Sequence, residues 1–400
     1  MAAEKTHRVE AIDFWRGLVL IAILCDHVPG NLIEKATPRN FGLSDSAEAF
    51  VFLSGFSVGL AYYRKAVEYD WREVTRRCFG RALRIYGVHI VLTASALAVF
   101  AAGYALCAAP SLIEADGRAF VFHSPLQGGL GVALLTQQLG YVNILPMYVV
   151  LMLLSPAILV LARLSASLAL GASITVYLAA RFCGLTLPNW PEPGAWFFNP
   201  FAWQLIFTIG ILSSILWRQA PPRYSESFYP ISVLGLVLSA VIVTDVAGLE
   251  PGLRDWAFAR FDVPKQNLGL GRLTHFLMLA YVIAQTPWLS AMTKTAAGQS
   301  LQRLGRHSLA VFALGSVLSC VGQALTRVAE AQFSFGPAVV GPLYTIFGII
   351  GLFLFARYLE WNKLDSSPRP VSVGDSLANA SPVFLRASLS LSRLVRPLRR

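Results

Sequence analysis

Two ionisable side chains stand inside the first apolar stretch of the chain, Arg16 and His27, with ten residues between them. Ionisable residues in a membrane helix are costly and usually functional. An imidazole accepts and returns a proton near neutrality. A guanidinium holds phosphate or carboxylate and steadies developing negative charge. A step of eleven positions is three helical turns plus about 20°, so both side chains lie on nearly one face, roughly 16 Å apart along the axis. Asp26 adjoins His27, and Glu48 lies in the next apolar segment. Either carboxylate could set the His27 tautomer, as in a triad. Plainer readings stand beside these. His27 could donate to a backbone carbonyl, Arg16 could pair with Asp13 one turn earlier, and Asp45-x-x-Glu48 has the form of a helix capping box.

The elements that must position these groups are membrane helices. Hydrophobic residues make up 55% of the 400 residues and charged residues 14%, against about 25% charged in soluble domains; mean hydropathy is +0.57. With about 20 apolar residues needed per span, ten candidates appear: near 12–33, 46–63, 83–106, 143–163, 166–186, 200–217, 228–248, 270–290, 305–326 and 338–358. The expected fold is all-α, a polytopic bundle of about ten helices. The first, second and ninth spans carry the most polar residues and should face its interior.

Lys and Arg set the orientation. With both termini cytoplasmic, Lys5, Arg8, the 64–84 stretch and the connections 164–165, 218–227 and 291–304 fall on the inner side. The net charge of +11 is then a positive-inside bias rather than a nucleic-acid footprint, because no basic stripe with interleaved aromatics is present. The first segment is interrupted by Asp26 and His27 and reads as a retained helix, not a cleaved signal. Cys25, Cys78, Cys107, Cys183 and Cys320 form no CxxC and no metal spacing, so no metal is expected. His89 and His275, in apolar helices, read as satisfied core histidines. Two domains are expected: a membrane domain over 1–362 and a basic, Ser/Pro-rich tail over 363–400. Residues 383–400 of the tail read either as an interfacial helix on anionic lipid or as a disordered basic tail.

Several strings are more specific. Asp13-Phe14-Trp15-Arg16-Gly17, Asp26-His27-Val28-Pro29-Gly30-Asn31 and the run Arg39 to Gly55 resemble the OpgC family, and so do Asn199-Pro200-Phe201-Ala202-Trp203-Gln204 and Leu304-Gly305-Arg306-His307-Ser308-Leu309. That family comprises membrane acyltransferases that succinylate osmoregulated periplasmic glucans. The resemblance extends over roughly residues 7–360 and reaches the wider membrane acyltransferase class. There an Arg and a His ten residues apart mark the first helix, and an Arg-x-x-Arg follows the second, as Arg81-Ala82-Leu83-Arg84 does here.

The resemblance implies a multi-pass enzyme of the bacterial inner membrane. Acyl-CoA, as succinyl-CoA, would be its co-substrate, with no permanently bound cofactor, and a periplasmic glucan its acceptor. His27 would act on the transfer as general base or transient acyl carrier, Arg16 would position the donor, and Asp26 or Glu48 would orient His27. Arg81 and Arg84 would hold coenzyme A phosphates; Arg306 and His307, at the inner start of the ninth span, read either as positive-inside charge or as part of the same phosphate site. Asp13, Asp45 and Arg39 complete the expected substrate-binding set, with Arg39, Lys265 or Arg272 available to an acyl carboxylate or the glucan. Asn199-Pro200 reads as a helix cap. The rival reading is a secondary transporter with Asp26, His27 and Glu48 as a proton relay, against which stands the lack of an evident internal repeat. A non-catalytic scaffold for glucan synthesis is a third.

Overall fold

A computed structural model describes residues 10–28, 30–67, 70–219, 222–244, 252–332 and 336–365. Lys5, Arg8 and the expected tail helix at 383–400 lie outside them. Helix α1 (Glu10–Asp26) is followed by two 3₁₀ turns, Leu32–Ala36 and Pro38–Asn40. Then come α2 (Ser46–Val67), α3 (Trp71–Cys107), three short helices α4 (Ser111–Glu114), α5 (Ala119–His123) and α6 (Pro125–Ala133), α7 (Ile144–Leu164), α8 (Ala166–Phe182) and α9 (Pro200–Gln219). The chain continues through α10 (Phe228–Thr244), α11 (Leu253–Arg260), α12 (Leu270–Gln285), α13 (Pro287–Met292), α14 (Ala296–Arg306), α15 (Ser308–Gln332) and α16 (Gly336–Asp365). No strand occurs among the described residues; the only β contact there is an isolated bridge between Pro188 and Ala195.

This is an all-α membrane protein. Among the described residues, five helical stretches are long and apolar enough to cross a bilayer: Trp71–Cys107, Ile144–Leu164, Pro200–Trp217, Ser308–Gln332 and Val339–Asn362. Ala166–Phe182 and Phe228–Thr244 are apolar but shorter. The chain divides into two units, residues 1–356 and 357–400. Among its described residues, the second is the end of α16. Everything below concerns the first.

Three boundaries differ from the sequence reading. The first helix stops at Asp26 rather than running to 33. Pro29 disfavours helical backbone just before it, and Gly30 takes a positive φ of 78°. The basic 64–84 stretch, expected between the second and third spans, is largely helical among its described residues, since α2 runs to Val67 and α3 starts at Trp71 with Asp70 as its cap. The expected connection 291–304 is mostly α14, whose Thr295 side chain accepts from the Gly298 N–H at 3.0 Å.

In lipid, helices associate through close packing more than through hydrophobic expulsion, and small residues permit it. Helix α14 lies along α1 in this way. A Cβ on Gly17 would collide with the Leu301 carbonyl, and one on Gly305 with the Asp13 carbonyl. This accounts physically for Gly17 and Gly305 in two of the sequence strings. The buried interior is apolar, with Trp203, Phe207, Met147, Leu151 and Leu159 almost fully enclosed.

Candidate functional site

Two hollows sit at opposite ends of α1. A cavity of about 630 Å³ is lined by Asp26 and His27 at its C-terminal end. A smaller cleft of about 310 Å³ is lined by Glu10 at its N-terminus. Their separation along the helix is about 25 Å, from the 1.5 Å rise per residue.

The turn carrying His27 is held from several sides. The His27 N–H closes a last helical bond to Ile23 at 3.1 Å. Asn31 Nδ2 donates to the carbonyls of Cys25 (3.0 Å) and Val28, and its Oδ1 accepts from the Glu34 N–H. Asn31 therefore finishes α1 and starts the next turn. Gln323 of α15 donates to the His27 carbonyl at 2.8 Å. The imidazole packs edge-on against Tyr141, with ring centroids 4.9 Å apart. Its Nδ1 is buried with no hydrogen-bond partner among the described residues.

Neither expected carboxylate reaches that ring. Asp26 accepts from the Thr37 hydroxyl. Glu48, fully buried, accepts from Arg272 Nε at 2.8 Å and from the Asp45 N–H at 2.8 Å. The Asp45 side chain in turn accepts from the Ala47 N–H at 2.8 Å, so the two acids cap α2 reciprocally, as the capping pattern anticipates. Asp45 Oδ2 also meets Arg272 Nη2 and Lys265 Nζ, both at 2.7 Å. Burial alone would raise the Asp45 carboxyl, but Lys265 and Arg272 outweigh it and hold it well below the usual carboxylate range. The result is a four-residue charge clamp tying α2 to α12 and its preceding loop.

Other sequence strings serve this clamp. Asn199 caps α9, accepting from the Phe201 N–H at 3.1 Å, while its amide nitrogen donates to Leu185 O and Asn267 Oδ1. Trp203 Nε1 donates to the carbonyls of Lys265 and Gln266. The Asn199–Gln204 string thus anchors the loop that delivers Lys265. His275 bonds Ser44 through Nδ1 at 2.7 Å and braces the loop bearing Asp45. His89 is buried, with Thr93 Oγ1 3.5 Å from its Nδ1.

Arg16 lines neither hollow. It is buried, donates to the Leu53 carbonyl at 3.0 Å and to the Ser57 hydroxyl, and lies 3.6 Å from Asp13. Its guanidinium therefore ties α1 to α2 partway between the two hollows. The cleft is lined by Lys294, Arg303 and Arg306 with Glu10, Gln299, Gln302 and Thr293. Arg303 and Arg306 are one turn apart on α14 and share a face. Arg81 (half-buried) and Arg84 (exposed) sit on α3 and do not line it. His307 occupies the single-residue break between α14 and α15, its N–H bonded to the Leu304 carbonyl.

Sequence reasoning missed Tyr141, Lys294 and Arg303 as site residues. Tyr141 takes a positive φ of 68°, rare for a bulky residue and a mark of local constraint, yet nothing in its neighbours signals that. Lys294 and Arg303 were legible only as inner-side charge. Among the described residues no group of His, Cys, Asp and Glu could hold a metal ion, and the cysteines are unpaired.

Comparison with curated proteins and with solved structures returned no match. A family model does match, described as OpgC protein and covering residues 8–364, which takes in α1, both hollows and the clamp. The chain belongs to the OpgC family, which brings with it a role in glucan modification by acyl transfer.

Proposed function

We propose that this protein is an O-acyltransferase of the bacterial inner membrane, moving a succinyl group from cytoplasmic succinyl-CoA to hydroxyls of a periplasmic glucan. About ten helices span the membrane, with both termini cytoplasmic. The cavity then opens to the periplasm and the cleft to the cytoplasm, in keeping with the positive-inside bias. The observation that carries the reading is that one helix joins an imidazole in a large cavity to a cleft lined by three cations and one carboxylate.

In this reading Lys294, Arg303 and Arg306 hold the phosphates of the acyl-CoA, Arg bidentately and Lys as a point charge. Crossing the separation along α1 falls to the extended pantetheine arm. His27 takes the proton of the attacking glucan hydroxyl as its oxygen bonds to the thioester carbon. The carbon–sulfur bond breaks, and the departing thiolate takes that proton from His27. Tyr141, packed on the imidazole, fixes the ring plane. Burial raises the Tyr141 phenol above its usual value, so it stays an O–H donor, suited to a developing oxyanion. Asp26 and Glu48 act through the loop and the clamp rather than on the ring. Arg16 fixes the register of α1 against α2. Acyl-CoA is a co-substrate, and no resident cofactor is needed for this chemistry.

The test is reconstituted protein with labelled succinyl-CoA and a β-glucan, scored for ester on the glucan. His27→Ala should lower the rate by roughly 10²–10⁴-fold, the usual worth of a positioned acid–base group. A variant that transfers at the wild-type rate overturns the proposal.

A further inference from the structure

The cavity holds more cations than its clamp uses. Arg39, Arg254, Lys265 and Arg272 line it, against Asp26, Asp45 and Asp116. Lys265 and Arg272 are committed to Asp45 and Glu48. Asp116 pairs with buried Arg118 at 3.3 Å, and Asp26 accepts from Thr37. Arg254, exposed on α11, lies over the Phe258 ring. Arg39 differs from all of these in its placement.

Arg39 Nη1 donates to the carbonyl of Asp26, the residue before His27, at 3.5 Å, and lies 3.3 Å from Glu34 Oε1. Both contacts fall on one terminal nitrogen. Nε and Nη2 make no hydrogen bond among the described residues, and the side chain is 49% exposed. That second edge carries the two parallel N–H groups that match a carboxylate bidentately. The support beneath it is rigid. Asn31 caps the first 3₁₀ turn, the Thr37 N–H (3.0 Å) and Asn40 Nδ2 (2.7 Å) both donate to the Glu34 carbonyl, and the Phe41 N–H closes the second turn on Pro38. A preformed fork beside the residue preceding His27 is placed for an anion a few atoms from the reacting carbonyl.

We propose that the open edge of Arg39 grips a free carboxylate on the acyl chain, so that the cavity selects acyl groups derived from a dicarboxylic acid over neutral ones. The inference rests on the acyltransferase reading above and adds a residue that sets its specificity. The carboxylate is a spectator, and bond changes stay at the thioester carbon.

The experiment compares succinyl-CoA with acetyl-CoA as donors, using reconstituted full-length protein and a β-glucan, with kcat/KM read for each. Wild type should prefer succinyl-CoA. Arg39→Gln should cut the succinyl-to-acetyl ratio by roughly ten- to a hundredfold, the scale of a hydrogen-bonded charge pair. Arg39→Lys, which keeps the charge but not the fork, should fall between and serves if the Gln variant does not fold. A wild-type preference that survives unchanged in both variants overturns the role of Arg39 and leaves the acyltransferase reading standing. Equal wild-type use of both donors also overturns it. Transfer from neither donor by wild type overturns the acyltransferase reading itself.

Discussion

At the C-terminal end of α1 the cavity mixes four cations with three carboxylates, and Lys265, Arg272, Asp45 and Asp116 among them are held in ion pairs. At its N-terminal end the cleft gathers three cations around one carboxylate. The first pattern makes a rigid frame. Asp45 and Glu48 of one loop and helix are locked to Lys265 and Arg272, more than 200 residues away in sequence. The second has a net positive lining, suited to an incoming polyanion. Charge therefore builds shape at one end and binding potential at the other, and the two uses respond differently to substitution.

The largest stability effect should come from the frame. Removing one partner of a buried ion pair leaves the other uncompensated, at about 3–5 kcal/mol. Glu48→Ala or Arg272→Ala should each lower stability on that scale, read as the unfolding midpoint in detergent. The double variant should cost less than the sum of the two. Strict additivity would mean that the clamp is not one unit.

The cleft should give an effect on binding. Arg303→Ala and Arg306→Ala should each raise the KM for acyl-CoA by roughly tenfold or more, since hydrogen bonds to charged groups are worth about 1.5–3 kcal/mol. Arg81→Ala with Arg84→Ala should do less, because neither lines the cleft. The reverse ranking would move the donor site to α3.

A smaller effect lies in pH. Asp45 is depressed in the folded state. Its contribution is present above the unfolded carboxylate value near 3.9 and is lost as pH falls through the lower folded value. The stability gap between wild type and Asp45→Asn should therefore hold near neutrality and narrow below about pH 4. A gap constant down to strong acid would show that Asp45 acts by shape rather than charge.

These contrasts also show what a sequence displays and what it hides. Each of the ten apolar segments holds a helix among its described residues, because apolar runs in lipid must satisfy their backbone internally, but only five helical stretches there are long and apolar enough to cross a bilayer. Local signals were legible too: the Asn199-Pro200 cap, the Asp45–Glu48 cap and the Asp13–Arg16 pair each operate within a few residues. The partners of Glu48 were not, because Arg272 lies 224 positions away and no local pattern encodes that pairing. The stretch 291–304 looked like a connection because its apolar residues are too few for a span. Its amphipathic face becomes meaningful only once α1, with Gly17, is there to receive it. Tyr141 was hidden for a third reason, since its role comes from a strained loop backbone and a ring contact across the fold.

In the proposed function α1 links a donor end to an acceptor end on opposite sides of one membrane. This link is tested most directly in sealed proteoliposomes of uniform orientation, with succinyl-CoA confined to the side of the cleft and β-glucan to the side of the cavity. Succinyl ester should form on the glucan in the opposite compartment and be lost in His27→Ala. Ester that forms only when donor and glucan share one compartment would contradict it.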